Sequence, residues 1–301
     1  MDKSIVYFSK TVSPENAARM FLMLATELKG NIAVKIHSGE EGNQNFLKPE
    51  FMKPCIDIVG GTVVECNTAY EGSRNHTPEH IELLKKHGWS EAFKKVDIMD
   101  SEGPDLILPV ENGKVLTKNY VGKHIKNYGD ISLALCCKHK SHFKGHPMGG
   151  FGGALKQLSI GCASTAGKVN IHSGGVTLDQ NEFWQKVAEQ DTFCEAMADA
   201  AKSVVDMFGG NMAFVNVVAN LSVDCDCCAV AEDPCMKDIG ILSSLDPVAL
   251  DKACVDLIYA SDDPGKDHLI ERIEEKHGIH TVDAAVEIGI GTKEYELIDV
   301  G

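Results

Sequence analysis

The sequence predicts an α/β fold, on three observations. Short apolar strands alternate with amphipathic helices along the first half. The runs Ile131–Cys137 and Met212–Val223 are almost wholly apolar. Helix-start signals recur where strands have ended. Near-continuous apolar strands are those buried on both faces, so the sheets should be mostly parallel and flanked by helices.

Ser4 to Phe8 (SIVYF) is the first expected strand. Ser13-Pro14 sets a capping hydroxyl before a proline at the first helical position, and Ala17, Met20, Phe21 and Leu24 then repeat at helical spacing until Gly30. NIAVKIH is the next strand. Lys48-Pro49 opens a second helix ending at Gly60-Gly61, and the strand TVVEC follows. Thr77-Pro78 opens a third, with Ile81 and Leu84 apolar and Gly88 at its end. DLILPV and GKVLTKNYV predict a strand pair about a turn at Asn112-Gly113. Ile131–Cys137 is a buried central strand that empties into a glycine-rich loop, Gly145 to Gly153. Glu182 to Met207 reads as one long helix, Asp246-Pro247 as a helix cap, HLIERIEEKHG as a solvated acidic helix and KEYELIDV as a final strand. With a boundary near Gly174-Gly175, the expected organisation is two α/β lobes, residues 1–175 and 176–301, with a pocket between them.

Composition narrows the function. The chain has 301 residues, 44% hydrophobic and 24% charged, which excludes a disordered chain or a fibrous rod. A formal charge of −15 repels phosphate backbones, so neither nucleic acid nor an anionic membrane is an expected partner. No apolar run reaches the roughly 20 residues of a membrane span. The start, MDKSIVYFSK, has no signal-peptide core. Eleven cysteines without an export signal then point to the reducing cytoplasm and to thiols used for metal or redox chemistry.

The segment from Cys136 to His172 is the densest in reactive side chains. A buried strand that opens into a glycine-rich loop puts the loop at the carboxyl edge of the sheet, where α/β proteins bind ligands. Glycines there let backbone approach a ligand, imidazoles move protons near neutral pH, and amines act as bases or electrophile traps. Cys136 and Cys137 are adjacent, so one at most can face a pocket; His139 or His142 could join it in a metal site. The second cluster, DCDCCAVAEDPC, follows the other buried strand. Cys225, Cys227, Cys228 and Cys235 are candidate metal ligands, thiolates being soft donors. The alternative is a set of reduced thiols in a turn. Lys35, His37 and Lys48, around the loop IHSGEEGN, and Arg74, after YEGS, are further polar candidates.

The stretch KGHPMGGFGGALKQLSIGCASTAGK, with IHSGEEGNQNFLKPEF, NTAYEGSR and CDCC…DIGILSSLDPVALDKA, resembles the family called domain of unknown function 362, whose members are often labelled iron–sulfur centre proteins. Many members carry an inserted ferredoxin module; the corresponding stretch here, HSGGVTLDQN, lacks it. His146 to His172 also resembles the core of the nickel-dependent, LarA-like lactate racemases. His146 stands ten residues before Lys156, and Lys156 sixteen before His172, as in that superfamily's His, Gly-Gly-x-Lys and His, although the motif read from Gly152 is one residue longer here. That resemblance implies a LarA-like two-lobed fold, His146 as acid/base, Lys156 as the anchor of a nickel-pincer cofactor and His172 as a metal ligand. The racemases' N-terminal Asp-x-Thr-Arg-Pro motif is absent; GNQNFLKP, with Lys48, stands in its place.

The sequence therefore predicts a metal- or iron–sulfur-dependent protein of oxidoreductase type, acting on a small molecule in a cleft, with a redox protein as a possible partner. His146 and Lys156 are the expected catalytic residues. Gly149, Gly150, Gly152, Gly153, Lys156 and His172 are the expected cofactor contacts. A LarA-like racemase or epimerase of a 2-hydroxy acid and a non-enzymatic metal or cluster carrier are the alternatives.

Overall fold

Residues 3–25, 30–46, 48–128, 133–136 and 143–301 are described by a computed structural model. The first half builds parallel units where the apolar runs lie: β1 (Ser4–Ser9), α1 (Pro14–Ala25), β2 (Ala33–Lys35), α2 (Pro49–Val59), β3 (Thr62–Glu65), α3 (Thr77–Lys86), the short α4 (Trp89–Ala92) and β4 (Val96–Ile98). The strand pair β5 (Leu106–Pro109) and β6 (Lys118–Val121) is antiparallel, and Asn112 between them is left-handed, as a tight turn requires. Then come β7 (Leu133–Cys136), β8 (Lys144–His146), β9 (Gly150–Gly152), α5 (Ala154–Lys156) and α6 (Thr165–His172). The rest comprises α7 (Gln190–Phe208), β10 (Met212–Val218), β11 (Gly240–Ser244), α8 (Pro247–Tyr259), α9 (Lys266–Glu275), α10 (Gly278–Glu287) and β12 (Tyr295–Asp299). The proline starts hold: Ser13 Oγ accepts from the Asn16 amide at 3.1 Å, and Asp246 Oδ1 from those of Val248 and Ala249 at 2.8 and 3.1 Å.

Eight strands form one sheet in the order β12-β1-β11-β10-β7-β2-β3-β4. From β10 to β4 every pair is parallel, and β11 is antiparallel to both its neighbours. The fold is thus α/β. The halves drawn at residue 175 share this sheet, since β10, β11 and β12 interleave with β1 and β7. Pairing β12 beside β1 and β10 beside β7 buries apolar strands that separate lobes would leave as edges.

β10 shows how the core is split. Ala213, Val215 and Val217 pack with Met20, Phe21 and Met52 of α1 and α2, whereas Met212, Phe214 and Val218 pack with Ala249 and Ala253 of α8. Each buried Val, Met or Phe among them contributes about 1.5–3 kcal/mol.

Two local expectations change. The single helix from Glu182 to Met207 is instead a 3-10 turn, Gln180–Gln185, followed by α7. The break is tied down: the Ala188 amide donates to the carbonyl of His172, the last residue of α6, at 2.8 Å. The loop from Gly145 to Gly153 is a β8–β9 hairpin. It is glycine-rich because it is pressed into other elements. A Cβ at Gly145 would lie 2.1 Å from the Val223 carbonyl oxygen, and one at Gly153 2.3 Å from Asp251 Oδ1. Cys137, His139 and His142 lie outside the described residues.

Candidate active site at the carboxyl edge of the sheet

Parallel strands β2, β3, β4, β7 and β10 end at one edge. The chain runs from β2 toward β3 but from β7 toward β10, so the sheet's topology reverses between β2 and β7. A crevice is expected at such a reversal. An inner cavity of about 70 Å³ lies there, lined by Lys35 and His37 from and after β2, Glu65 and Arg74 from and after β3, His146 of β8, and Lys156, Lys168 and His172. It shares His146, His172, Tyr70, Phe183 and Cys227 with an outer cleft of about 910 Å³.

One wall is a closed ionic network. Lys35 Nζ lies 2.6 Å from Glu65 Oε2, and Arg74 lies 3.2 Å from Glu40 and 3.6 Å from Glu65. Arg74 Nη2 also donates to Tyr70 Oη at 2.8 Å. Burial works against the Lys35 ammonium, yet Glu65 holds its pKa above the ordinary lysine value. Burial likewise works against ionised Glu65, and Lys35, His37 and Arg74 hold its carboxyl well below the usual range. Arg74 is thus occupied by the protein's own carboxylates. Lys48 is not in the cavity; its ammonium sits 3.5 Å over the Phe46 ring.

The opposite wall carries the two imidazoles. The amides of Met148 and Gly149 donate to His146 Nδ1 at 3.2 and 2.9 Å. Nδ1 therefore holds a lone pair, and the neutral ring carries its proton on Nε2, 3.9 Å from Cys227 Sγ. His172 has the opposite tautomer. Its Nδ1–H donates to the Lys168 carbonyl at 2.7 Å, one turn back in α6, which leaves Nε2 as an acceptor. Phe183 stands edge-on to this ring at 5.0 Å and Phe193 stacks on it at 4.8 Å. Burial lowers the pKa of both imidazoles to about 4, with Lys156 adding to the effect, so both are neutral at pH 7.

Lys156 sits where α5 passes into a π-helical turn, Gln157–Gly161, a local widening that often marks functional positions. The turn is fixed by Asp251 of α8, which accepts from the amides of Ala154 and Leu155 at 2.7 and 2.9 Å and from Asn216 Nδ2 at 2.7 Å. Burial raises the Asp251 pKa to about 6. The Lys156 amine has no hydrogen-bond or ion-pair partner among the described residues. Lys168 is buried, and its ammonium bonds the Ala163 carbonyl; burial lowers its pKa. Its place one helical turn before His172 was a readable signal for this otherwise unmarked residue. Gly149, Gly150, Gly152 and Gly153 shape the hairpin and are not among the residues lining the inner cavity.

The cysteine loop meets this wall through a buried ion pair between Lys144 of β8 and Asp226. Consecutive amides of the loop after β2 hold it as well. Asn43 Nδ2 donates to the Cys228 carbonyl at 2.7 Å, Gln44 Nε2 to Ala231 at 2.5 Å and Asn45 Nδ2 to Glu232 at 2.9 Å. Donor atoms of His146, Cys225 and Cys227 lie within 4.8 Å of one another, a candidate three-ligand metal group. Cys235 is elsewhere: its thiol donates to the Leu221 carbonyl at 3.0 Å. Cys228 lines the outer cleft. Among the described residues, two thiols and an imidazole come together, a set that suits a single thiophilic ion. The amides on Nδ1 hold the His146 proton on Nε2, so ligation through Nε2 would have to displace it, and Cys225 and Cys227 are the readier ligands.

No described helix is long and apolar enough to cross a membrane. No curated protein and no solved structure matched the chain. The family model described as domain of unknown function (DUF362) matches residues 32–256, a span that includes β2, β3, the β8–β9 hairpin, α6 and the cysteine loop, and the chain therefore belongs to the DUF362 family.

Proposed function

We propose that this protein is an enzyme that moves protons on a small molecule held in the inner cavity, with His146 as donor and His172 as acceptor. The observation that carries the reading is the opposed tautomers of two buried imidazoles lining one cavity: one offers Nε2–H, the other an Nε2 lone pair. Such a pair can take a proton from one atom of a substrate and supply one to another without either ring being charged beforehand. The Lys156 side chain, which has no ion-pair partner among the described residues, favours a substrate bearing a carboxylate. Phe183 and Phe193 keep water from the acceptor ring.

The Lys156 amine, without a partner among the described residues, and the His172 lone pair also fit the anchoring of a nickel-pincer cofactor, which when bound supplies a hydride acceptor. This supports the finer reading of a LarA-like racemase or epimerase of a 2-hydroxy acid. The test is incubation with a panel of 2-hydroxy and 2-oxo acids in D₂O, read by proton NMR and chiral chromatography. Exchange or inversion in the wild type, lost by at least 100-fold in His172→Gln, is expected; equal rates in the two overturn the reading.

A second reading, a metal-dependent function or metal carriage, rests on the approach of Cys225 and Cys227. Stoichiometric Zn²⁺ or Co²⁺ binding should be lost in Cys225→Ser and kept in Cys235→Ser; equal retention in both overturns it.

A further inference from the structure

We propose that Lys168 is an imine-forming lysine and that the cavity takes a small carbonyl compound, a 2-oxo acid. This goes beyond the proton-transfer reading and rests on it for the roles of His146 and His172. Lys168 is only 7% exposed and lines the inner cavity. The other buried lysines of the site are paired with carboxylates, Lys35 with Glu65 and Lys144 with Asp226. Lys168 has no carboxylate within 4.0 Å among the described residues; the Ala163 carbonyl orients its nitrogen. An amine kept in a desolvated pocket with no carboxylate in ion-pair range is suited to act as a nucleophile. It lies one helical turn from His172 and lines the same 70 Å³ as the His146 donor.

The step balances without a further reagent. Lys168 Nζ attacks the carbonyl carbon and a C–N bond forms. His146 Nε2–H polarises the carbonyl oxygen by hydrogen bonding. His172 Nε2 takes a proton from nitrogen and returns it to oxygen. The C–O bond breaks, and the oxygen leaves as water carrying, in net, both amine protons. Amine and carbonyl become imine and water. The cavity's small volume limits the partner to a few heavy atoms, and Lys156, without an ion-pair partner among the described residues, selects a carboxylate beside the carbonyl.

The experiment incubates the full chain with pyruvate or glyoxylate, adds borohydride and maps the modified peptide by mass spectrometry. One adduct is expected, on Lys168, with the mass of the oxo acid less one oxygen. Lys168→Met should lose it, and His172→Gln should form it at least tenfold more slowly. Because a buried methionine could disturb folding, the site of labelling in the wild type is the deciding measurement. No adduct, an adduct on Lys156, or labelling spread over exposed lysines overturns the proposal. If labelling fails while deuterium exchange persists, only the role of Lys168 falls. If labelling succeeds and exchange fails, the histidine reading falls instead.

Discussion

The two walls of the inner cavity carry similar side chains bonded in opposite ways. On the β2–β3 wall, the charges of Lys35, Glu65 and Arg74 are satisfied by one another and by Glu40 and Tyr70. On the hairpin and α6 wall, His146 and His172 each spend one ring nitrogen on backbone, while Lys156 has no partner among the described residues. Groups bonded to each other set the cavity's shape and field. Groups left with an open donor or acceptor are the ones that can act on a ligand.

Breaking the closed wall should give the largest effect. Glu65→Gln leaves Lys35 and Arg74 buried beside a neutral amide, and removing one partner of a buried ion pair costs about 3–5 kcal/mol. Lys156→Met, on the open wall, should cost less than about 1 kcal/mol. Urea denaturation of the two variants measures the contrast. Equal losses would erase the distinction between the walls.

Acid acts on the open wall and on its support with opposite signs. Each of His146 and His172 has a folded pKa of about 4, below the ordinary 6.5. The unfolded chain therefore binds more protons between those values. The stability from each ring is full above pH 6.5 and is lost as pH falls toward 4, at about 2 kcal/mol per ring by pH 5. Asp251 runs the other way: raised from 3.8 to about 6, its contribution is full below the unfolded value and is lost as pH rises through about 6. The loss of stability from pH 7 to pH 5 should be about 2 kcal/mol smaller in His172→Gln than in the wild type. An unchanged pH dependence would mean that the His172 ring is not held neutral by burial.

Much of this was legible in the residues. Period-two and period-3.6 patterns placed the strands and proline-started helices, and the His146, Lys156 and His172 spacing pointed to side chains that do line one cavity. The pairing of β12 with β1 was not legible, because strand order depends on contacts between residues nearly 300 positions apart. The loss of Cys235 from the thiol group was hidden for a similar reason: its thiol is drawn to a carbonyl of Leu221 on the far side of the turn. Lys168 was marked only by standing one helical turn before His172, and its removal from water came with folding. Arg74 looked free to clamp a ligand because Glu40 and Glu65 are remote in sequence.

The smallest expected effect tests whether the β2 side also positions the open wall. Asn43, Gln44 and Asn45 present three amides to three carbonyls of the cysteine loop, so the segment that begins at the paired wall restrains Cys227, 3.9 Å from His146. Gln44→Ala removes one of these bonds at about 1 kcal/mol and leaves the Ala231 carbonyl to water. The fold should survive, but the loop should open more often, and a thiol reagent in excess should modify Cys228 a few-fold faster. Cys235, bonded to Leu221 instead, should keep its rate and serves as the internal reference. If both thiols accelerate together, the substitution has loosened the whole domain. If neither does, the amides only decorate the loop, and the Lys144–Asp226 pair holds it against the hairpin without them.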